Sequence, residues 1–271
     1  MKRILPAVVF LPAFYLIVRK APAAAWFALM AAAATLALRE LYRLSEGSGA
    51  RPHKLLGALI ALLAMASGVV SRLPLEYAVV VGLVAAPILS LRRGGEWRRV
   101  FPDLGATLFV GLFVGLLFGY MGRLRVVEPA GNGEAGRDLV FLLFLVVWGG
   151  DMAAYYVGSY IGRRPLAPRV SPRKTVEGAA AGIAGALAAA FLARAWFMNR
   201  LEVVDCVVLG VALGIVGMMG DLVESMLKRG AGMKDSAALL PGHGGILDRV
   251  DSLLYAAPVL YYYYLFAMRP H

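Results

Sequence analysis

The sequence predicts an all-α polytopic membrane protein with about nine transmembrane helices and a polar, cytoplasm-facing site at helix ends, on three observations. Hydrophobic residues make up 60% of the 271 positions and charged residues only 17%. The mean hydropathy of +0.71 lies well outside the range of soluble domains. Apolar runs recur along the whole chain with short polar links between them, and roughly 20 such residues cross a hydrocarbon layer of about 30 Å. Ionisable groups are instead concentrated in one stretch, SMLKRGAGMKDSAALLPGHGGILDRVD from Ser225 to Asp251, pressed between two apolar segments.

The runs follow in order. Lys2 and Arg3 precede an apolar run from Ile4 to Val18. No A-x-A-like cleavage site leads from it into a soluble domain, so it is read as a retained first helix, with a re-entrant hairpin as the alternative for the first pair. Further runs cover Ala21 to Leu38, Leu55 to Val70, Leu75 to Leu91 and Leu104 to Met121. A sixth, Leu139 to Ile161, carries Asp151; the remaining three are Gly178 to Phe197, Val203 to Met226 and Val250 to Met268. Residues 1–137 thus form an N-terminal group of about five transmembrane helices and residues 138–271 a C-terminal group that carries the chemistry. The link from Arg39 to Lys54 reads as a solvated loop or a short amphipathic helix. Arg92, Arg93, Arg98 and Arg99 around Trp97 read as an interfacial anchor, Glu128 to Gly136 as an outer loop, and Tyr261 to Tyr264 as part of an aromatic belt. Gly178, Gly182 and Gly185 predict close helix packing.

Of the 28 lysines and arginines, 19 fall at the amino terminus and in the links after the second, fourth, sixth and eighth runs. That asymmetry places those segments in the cytoplasm, and with them the charged stretch and the basic link from Arg163 to Lys174. The net charge of +11 is spread through short links and not gathered in a basic domain, which argues against nucleic acid and for anionic headgroups or a phosphorylated substrate. Cys206 is the single cysteine, so no intrachain disulfide forms; it lies in an apolar run as a small buried hydrophobe.

Three acids lie where hydropathy alone would not put them: Asp151, Asp221 and Glu224. An uncompensated Asp near a membrane helix centre costs about 2.5–3.5 kcal/mol on insertion scales, so something must compensate it. Asp221, Glu224 and Ser225 share a helix face by their spacing. Asp248 and Asp251 do the same, and a last helix beginning near Ile246 puts both at its positive end. Facing carboxylates of this kind suit a hard divalent cation. Blander readings stand beside these: Asp251 as a helix-start residue paired with Arg249 or Lys228, Glu224 as a snorkelling helix-end charge, Asp151 paired with a base of the following loop. Lys228, Arg229, Lys234 and Arg249 are interleaved with Gly230, Gly232, Gly242, Gly244 and Gly245, cations and close backbone able to meet a polyphosphate. His243 between glycines is a general acid or base, or a loop anchor. Ser171, Arg173, Lys174 and Thr175 form a second polar cluster, read as phosphate contacts or as topogenic charge with Thr175 as a helix N-cap.

The pattern S-x-L-K-R-x4-K-D-x-A-x2-L-P-x-H-G-G-I-x-D-R-V-D, Ser225 to Asp251, resembles the signature of phosphatidate cytidylyltransferases, also called CDP-diacylglycerol synthases. DMAAYYVGSYIGR from Asp151 and LAPRVSPRKTVEG from Leu166 to Gly178 are similar to the same family in order and spacing. The resemblance covers the chain from about residue 148 onward. It implies Mg²⁺-dependent transfer of CMP from CTP to phosphatidic acid, with a second cation possible, in the cell inner (cytoplasmic) membrane. By that resemblance Asp221 and Asp248 hold metal, with Asp251 or Asp151 completing the set. Lys228, Arg229, Lys234 and Arg249 neutralise phosphate, His243 belongs to the catalytic group, and Ser171, Arg173, Lys174, Thr175, Ser225, Gly244 and Gly245 contact substrate. The expected partners are CTP, phosphatidic acid and the bilayer, with small-residue helix faces suited to a homo-oligomer. A CTP-dependent transferase or kinase acting on another membrane alcohol, and an ion-coupled transporter using Asp151 and Asp221, are the competing readings.

Overall fold

A computed structural model describes residues 16–70, 72–93, 96–127, 134–233 and 245–268. The chain is almost wholly helical within those limits: α1 (Ala23–Gly47), α2 (Lys54–Ala66), α3 (Leu75–Arg93), a 3₁₀ turn (Trp97–Arg99), α4 (Val100–Val126), α5 (Glu134–Ile161), α6 (Val176–Trp196), α7 (Val203–Gly230) and α8 (Leu247–Tyr263). A π-helical segment, Tyr264–Met268, follows α8. Two short strands, β1 (Pro165–Ala167) and β2 (Ser171–Thr175), pair antiparallel between α5 and α6.

The membrane class holds, and the described residues account for part of the expected nine crossings. Among the described residues six helices are long and apolar enough to cross a bilayer: α1, α3, the 3₁₀ turn with α4, α5, α6 and α7. The run predicted over Leu55 to Val70 becomes α2 with 13 residues, about 20 Å at 1.5 Å per residue and short of a full crossing. The last run becomes α8 with 17 residues, its first turns charged by Asp248, Arg249 and Asp251. Most of the first run, from Ile4, and most of the Glu128 to Gly136 loop lie outside the described residues.

The principal core joins α1, α4, α5, α6, α7 and α8, with Trp26, Phe118, Leu139, Leu142, Leu209, Leu213, Leu254 and Leu260 all within 2% of full burial. Trp26 also donates from Nε1 to Met121 O at 3.1 Å, tying α1 to α4. A smaller cluster of Leu56, Ile60, Ala64, Ala78 and Ala86 packs α2 and α3 on the flank of α4. Small residues allow both joints. A Cβ on Gly115 would stand 2.5 Å from Ala61 O, and one on Gly185 2.9 Å from Gly149 O, so α4 meets α2, and α6 meets α5, backbone to backbone. The sequence predicted the second of these joints from Gly178, Gly182 and Gly185.

The link predicted over Arg39 to Lys54 is different from either expectation for its first half. α1 continues through it to Gly47, and Glu40 within it is 1% exposed. Tyr264, expected in an interfacial belt, is buried at 2%, while Tyr262 is 45% exposed and shares a 2.5 Å hydroxyl contact with Tyr120. Trp97 is exposed, as an interfacial anchor requires, and Cys206 is fully buried.

Candidate active site

One end of the bundle gathers the C-termini of α5 and α7, the N-termini of α6 and α8, and the hairpin between α5 and α6. The hairpin pairs Pro165 with Thr175 and Ala167 with Ser171. It is seated by Val176 N donating to Arg164 O at 2.8 Å and by Glu177 Oε2, which accepts from Arg163 N and Arg164 N at 3.0 and 3.2 Å. Thr175 ends β2 and caps α6, its Oγ1 accepting from Gly178 N at 3.1 Å. Lys174 therefore leaves a fixed strand one residue before a capped helix, and its Nζ reaches Asp221 Oδ2 on α7 at 2.5 Å.

Asp221 and Glu224 share one face of α7, and Asp251 comes from the second turn of α8. One carboxylate oxygen from each lies within 4.8 Å of the others. Asp151, exposed on α5, stands within electrostatic reach of Asp221 and Lys174 and in hydrogen-bonding reach of the Ser252 side chain. Asp248 turns to the other flank of Glu224. Lys228 Nζ bridges the two, 3.0 Å from Glu224 Oε2 and 2.5 Å from Asp248 Oδ1. Asp248 Oδ2 in turn accepts from Gly245 N at 3.0 Å. Glu224 is 4% exposed, which overturns its reading as a snorkelling helix-end charge.

The rim is cationic. Arg229 is exposed and donates from Nε to Val170 O at 3.3 Å, tying α7 to the hairpin turn, and Arg249 is exposed on the first turn of α8. Ser171 and Ser225 are half-buried and Arg173 is exposed. α7 stops just beyond Lys228 and Arg229 because Gly232 takes φ +67°, a left-handed conformation that L side chains rarely adopt. Lys234, His243 and Gly244 lie outside the described residues.

Five carboxylates, Asp151, Asp221, Glu224, Asp248 and Asp251, thus meet two inward lysines, Lys174 and Lys228. Glu224 Oε1 is buried and has no hydrogen-bond partner among the described residues. Buried carboxylate oxygens without a partner are costly, and carboxylates so close repel. The donor set, all hard oxygens within 4.8 Å at a mixed buried and open site, fits a divalent cation of the Mg²⁺ or Ca²⁺ type that shares its remaining positions with water or a phosphate.

Glu40 and Ser252 were missed by sequence reasoning. Glu40 Oε1 accepts from Ile246 N at 2.8 Å and its Oε2 from Leu247 N at 3.0 Å, across 206 and 207 positions. The one available signal was an acid beside an apolar run on the side of the chain that the charge count places with the site.

A membrane-embedded helical bundle with an acidic cluster able to hold a cation, inward lysines and an arginine rim at one end defines a class, that of integral membrane proteins equipped to handle phosphate groups at the bilayer surface. The chain belongs to the Cytidylyltransferase family, which matches residues 1–267. It is 34% identical over 251 residues to a phosphatidate cytidylyltransferase of Synechocystis sp., covering 84% of each chain. It is also 41% identical over 191 residues to a phosphatidate cytidylyltransferase of Haemophilus influenzae, covering 69% of this chain and 66% of that one. A third, from Bacillus subtilis, is 38% identical over 162 residues, 60% of this chain and 58% of the relative.

Proposed function

We propose that the protein transfers CMP from CTP to phosphatidic acid, giving CDP-diacylglycerol and pyrophosphate, with its site at the cytoplasmic face of a bacterial inner membrane. The observation that carries this is the acidic trio of Asp221, Glu224 and Asp251 beside Lys174 and Lys228, within a chain of the cytidylyltransferase family. The bond formed joins a phosphate oxygen of phosphatidic acid to the α-phosphorus of CTP. The bond broken is that between the α-phosphorus and the bridging oxygen to the β-phosphate, and pyrophosphate leaves with those electrons. The attacking phosphate is ionised near neutral pH, so the chain supplies no nucleophile and need remove no proton.

Asp221, Glu224 and Asp251 would hold Mg²⁺, with Asp151 and Asp248 on either flank and a second cation possible in so acidic a site. When bound, the ion supplies positive charge between two phosphates that otherwise repel. Lys174, whose Nζ stands on Asp221, places a cation beside the acids where a substrate phosphate would meet it. Lys228 keeps Glu224 and Asp248 apart and oriented. Arg229, Arg249, Arg173 and Lys234 meet the outer phosphates and stabilise the charge that builds on the leaving group. Ser171, Thr175, Ser225 and Gly245 stand at this end of the bundle as substrate contacts; the family resemblance gives the same role to Gly244 and a place in the catalytic group to His243. The location of this site at the end of the bundle suits a substrate pair in which CTP arrives from water and the lipid from the bilayer, its acyl chains staying in hydrocarbon.

The test is Mg²⁺-dependent pyrophosphate release by the purified protein in detergent, with CTP and phosphatidic acid together, and with an Asp221→Asn variant alongside. Release that needs both substrates, stops with chelator, returns with Mg²⁺ and falls about 100-fold or more in the variant is expected. Folded wild-type protein that forms no CDP-diacylglycerol under varied divalent ions and lipids would overturn the reading.

A further inference from the structure

We propose that Glu40 is a positioning residue for the site: from the N-terminal half of the chain it fixes the start of α8, and with it the placement of Asp248 and Asp251. The first N–H groups of a helix have no partner within it. α8 has Ile246 as its N-cap, a residue with no side-chain oxygen, and no side-chain cap bond of its own. Glu40 supplies what is missing, accepting from Ile246 N with one oxygen and from Leu247 N with the other. Asp248 takes the preceding N–H, that of Gly245. Three successive amides are thereby held by two carboxylates, and the negative charge of Glu40 sits at the positive end of α8.

Two bonds to adjacent amides constrain more than the end of the helix. They set its rotation about its own axis, because a turn of α8 would draw one amide off Glu40. Asp248 follows Leu247 directly and Asp251 lies one turn further on, so the same constraint decides whether Asp248 meets Lys228 and whether Asp251 closes on Asp221 and Glu224. Glu40 is 1% exposed, and an aligned buried carboxylate cannot be replaced by water at that depth. A helix start that needed stability alone could be capped by a Ser or Asp of its own link. An anchor on α1 instead couples the N-terminal helices to the acids.

The kinetic arm of the test rests on the cytidylyltransferase reading, and the exchange arm does not. Wild type, Glu40→Gln and Glu40→Asp are compared in detergent by amide hydrogen exchange over residues 245–250, by Mg²⁺ titration of thermal stability, and by turnover per folded molecule. In wild type the amides of Ile246 and Leu247 are expected to be protected, unlike ordinary first-turn amides. Glu40→Gln, which turns one acceptor into a donor facing an N–H, should lose that protection and raise the Mg²⁺ midpoint. Its kcat should fall roughly 10- to 100-fold, the effect of a misplaced catalytic group, while KM for CTP moves less than about twofold. Glu40→Asp, which keeps both acceptors on a shorter arm, should recover part of the turnover.

Freely exchanging Ile246 and Leu247 amides in wild type would overturn the proposal without any variant having to fold. So would a Glu40→Gln protein with lower melting temperature but wild-type kcat and Mg²⁺ midpoint, the signature of a purely structural cap. Were wild type inert with CTP and phosphatidic acid, the cytidylyltransferase reading would fall by itself, and the exchange data with the Mg²⁺ midpoint would still decide for or against Glu40.

Discussion

Replacing Lys228 by Met removes the cation that stands between Glu224 and Asp248, and the structure sets the size of the effect. The Lys228 side chain is 13% exposed, Glu224 5% and Asp248 21%, with the ammonium 3.0 and 2.5 Å from the two carboxylates. Removing one partner of a fully buried pair costs about 3–5 kcal/mol, whereas an exposed pair is worth about 1 kcal/mol or less. Asp248 retains some water and Glu224 almost none, so a loss of about 2–4 kcal/mol follows in the absence of metal. For a chain of this size each kcal/mol moves the melting temperature by about 2–4 °C, giving a fall on the order of 5–15 °C in chelator. The variant also has one more uncompensated negative charge beside Asp221, Glu224 and Asp251. A divalent ion should therefore stabilise it more than it stabilises wild type. The assay is thermal unfolding of the detergent-solubilised protein in chelator and over a Mg²⁺ series. A variant melting within about 2 °C of wild type in chelator, or gaining no more from Mg²⁺ than wild type does, would refute both the bridging role of Lys228 and the surplus of negative charge derived from it.

Other positions give separate tests. Thr175→Ala removes the cap on Gly178 N and should cost about 1 kcal/mol, read as a melting shift of a few degrees; Thr175→Ser should restore most of it. Gly115→Val drives a Cβ to 2.5 Å from Ala61 O and 2.7 Å from Ala61 Cα, a backbone clash at the joint of α4 and α2. A loss of about 1–3 kcal/mol is expected in the same melting assay, with turnover per folded molecule unchanged because that joint lies on the flank away from the acids.

Much of the site was legible in local spacing. Asp221 and Glu224 lie three apart, so an α-helix places them on one face whatever surrounds it, and Asp248 with Asp251 obey the same geometry. Thr175 before a Gly- and Ala-rich run reads as an N-cap because a hydroxyl there meets an orphan N–H. Spacing could not show that Lys174 reaches Asp221, since the pair joins a hairpin to a helix 47 positions away in sequence. The hairpin itself was invisible: Pro165 and Pro172 argue against strands, and a pair of strands of three and five residues carries too little alternation to be read. Glu224 read as a helix-end charge because burial depends on which neighbour covers that face, and the cover is α8.

The sequence by itself determined the class, the helical runs, and the stretch in which the acids and bases are gathered, because hydropathy and periodicity are properties of neighbours along the chain. Only the tertiary structure decided which acids converge, and that Glu40 of α1 holds the start of α8 from 206 positions away. The physical reason is one of range. Hydrophobic partition acts on each segment wherever the rest of the chain lies, while a carboxylate finds its cation or its orphan amide only after packing has fixed both helices to within the length of a hydrogen bond.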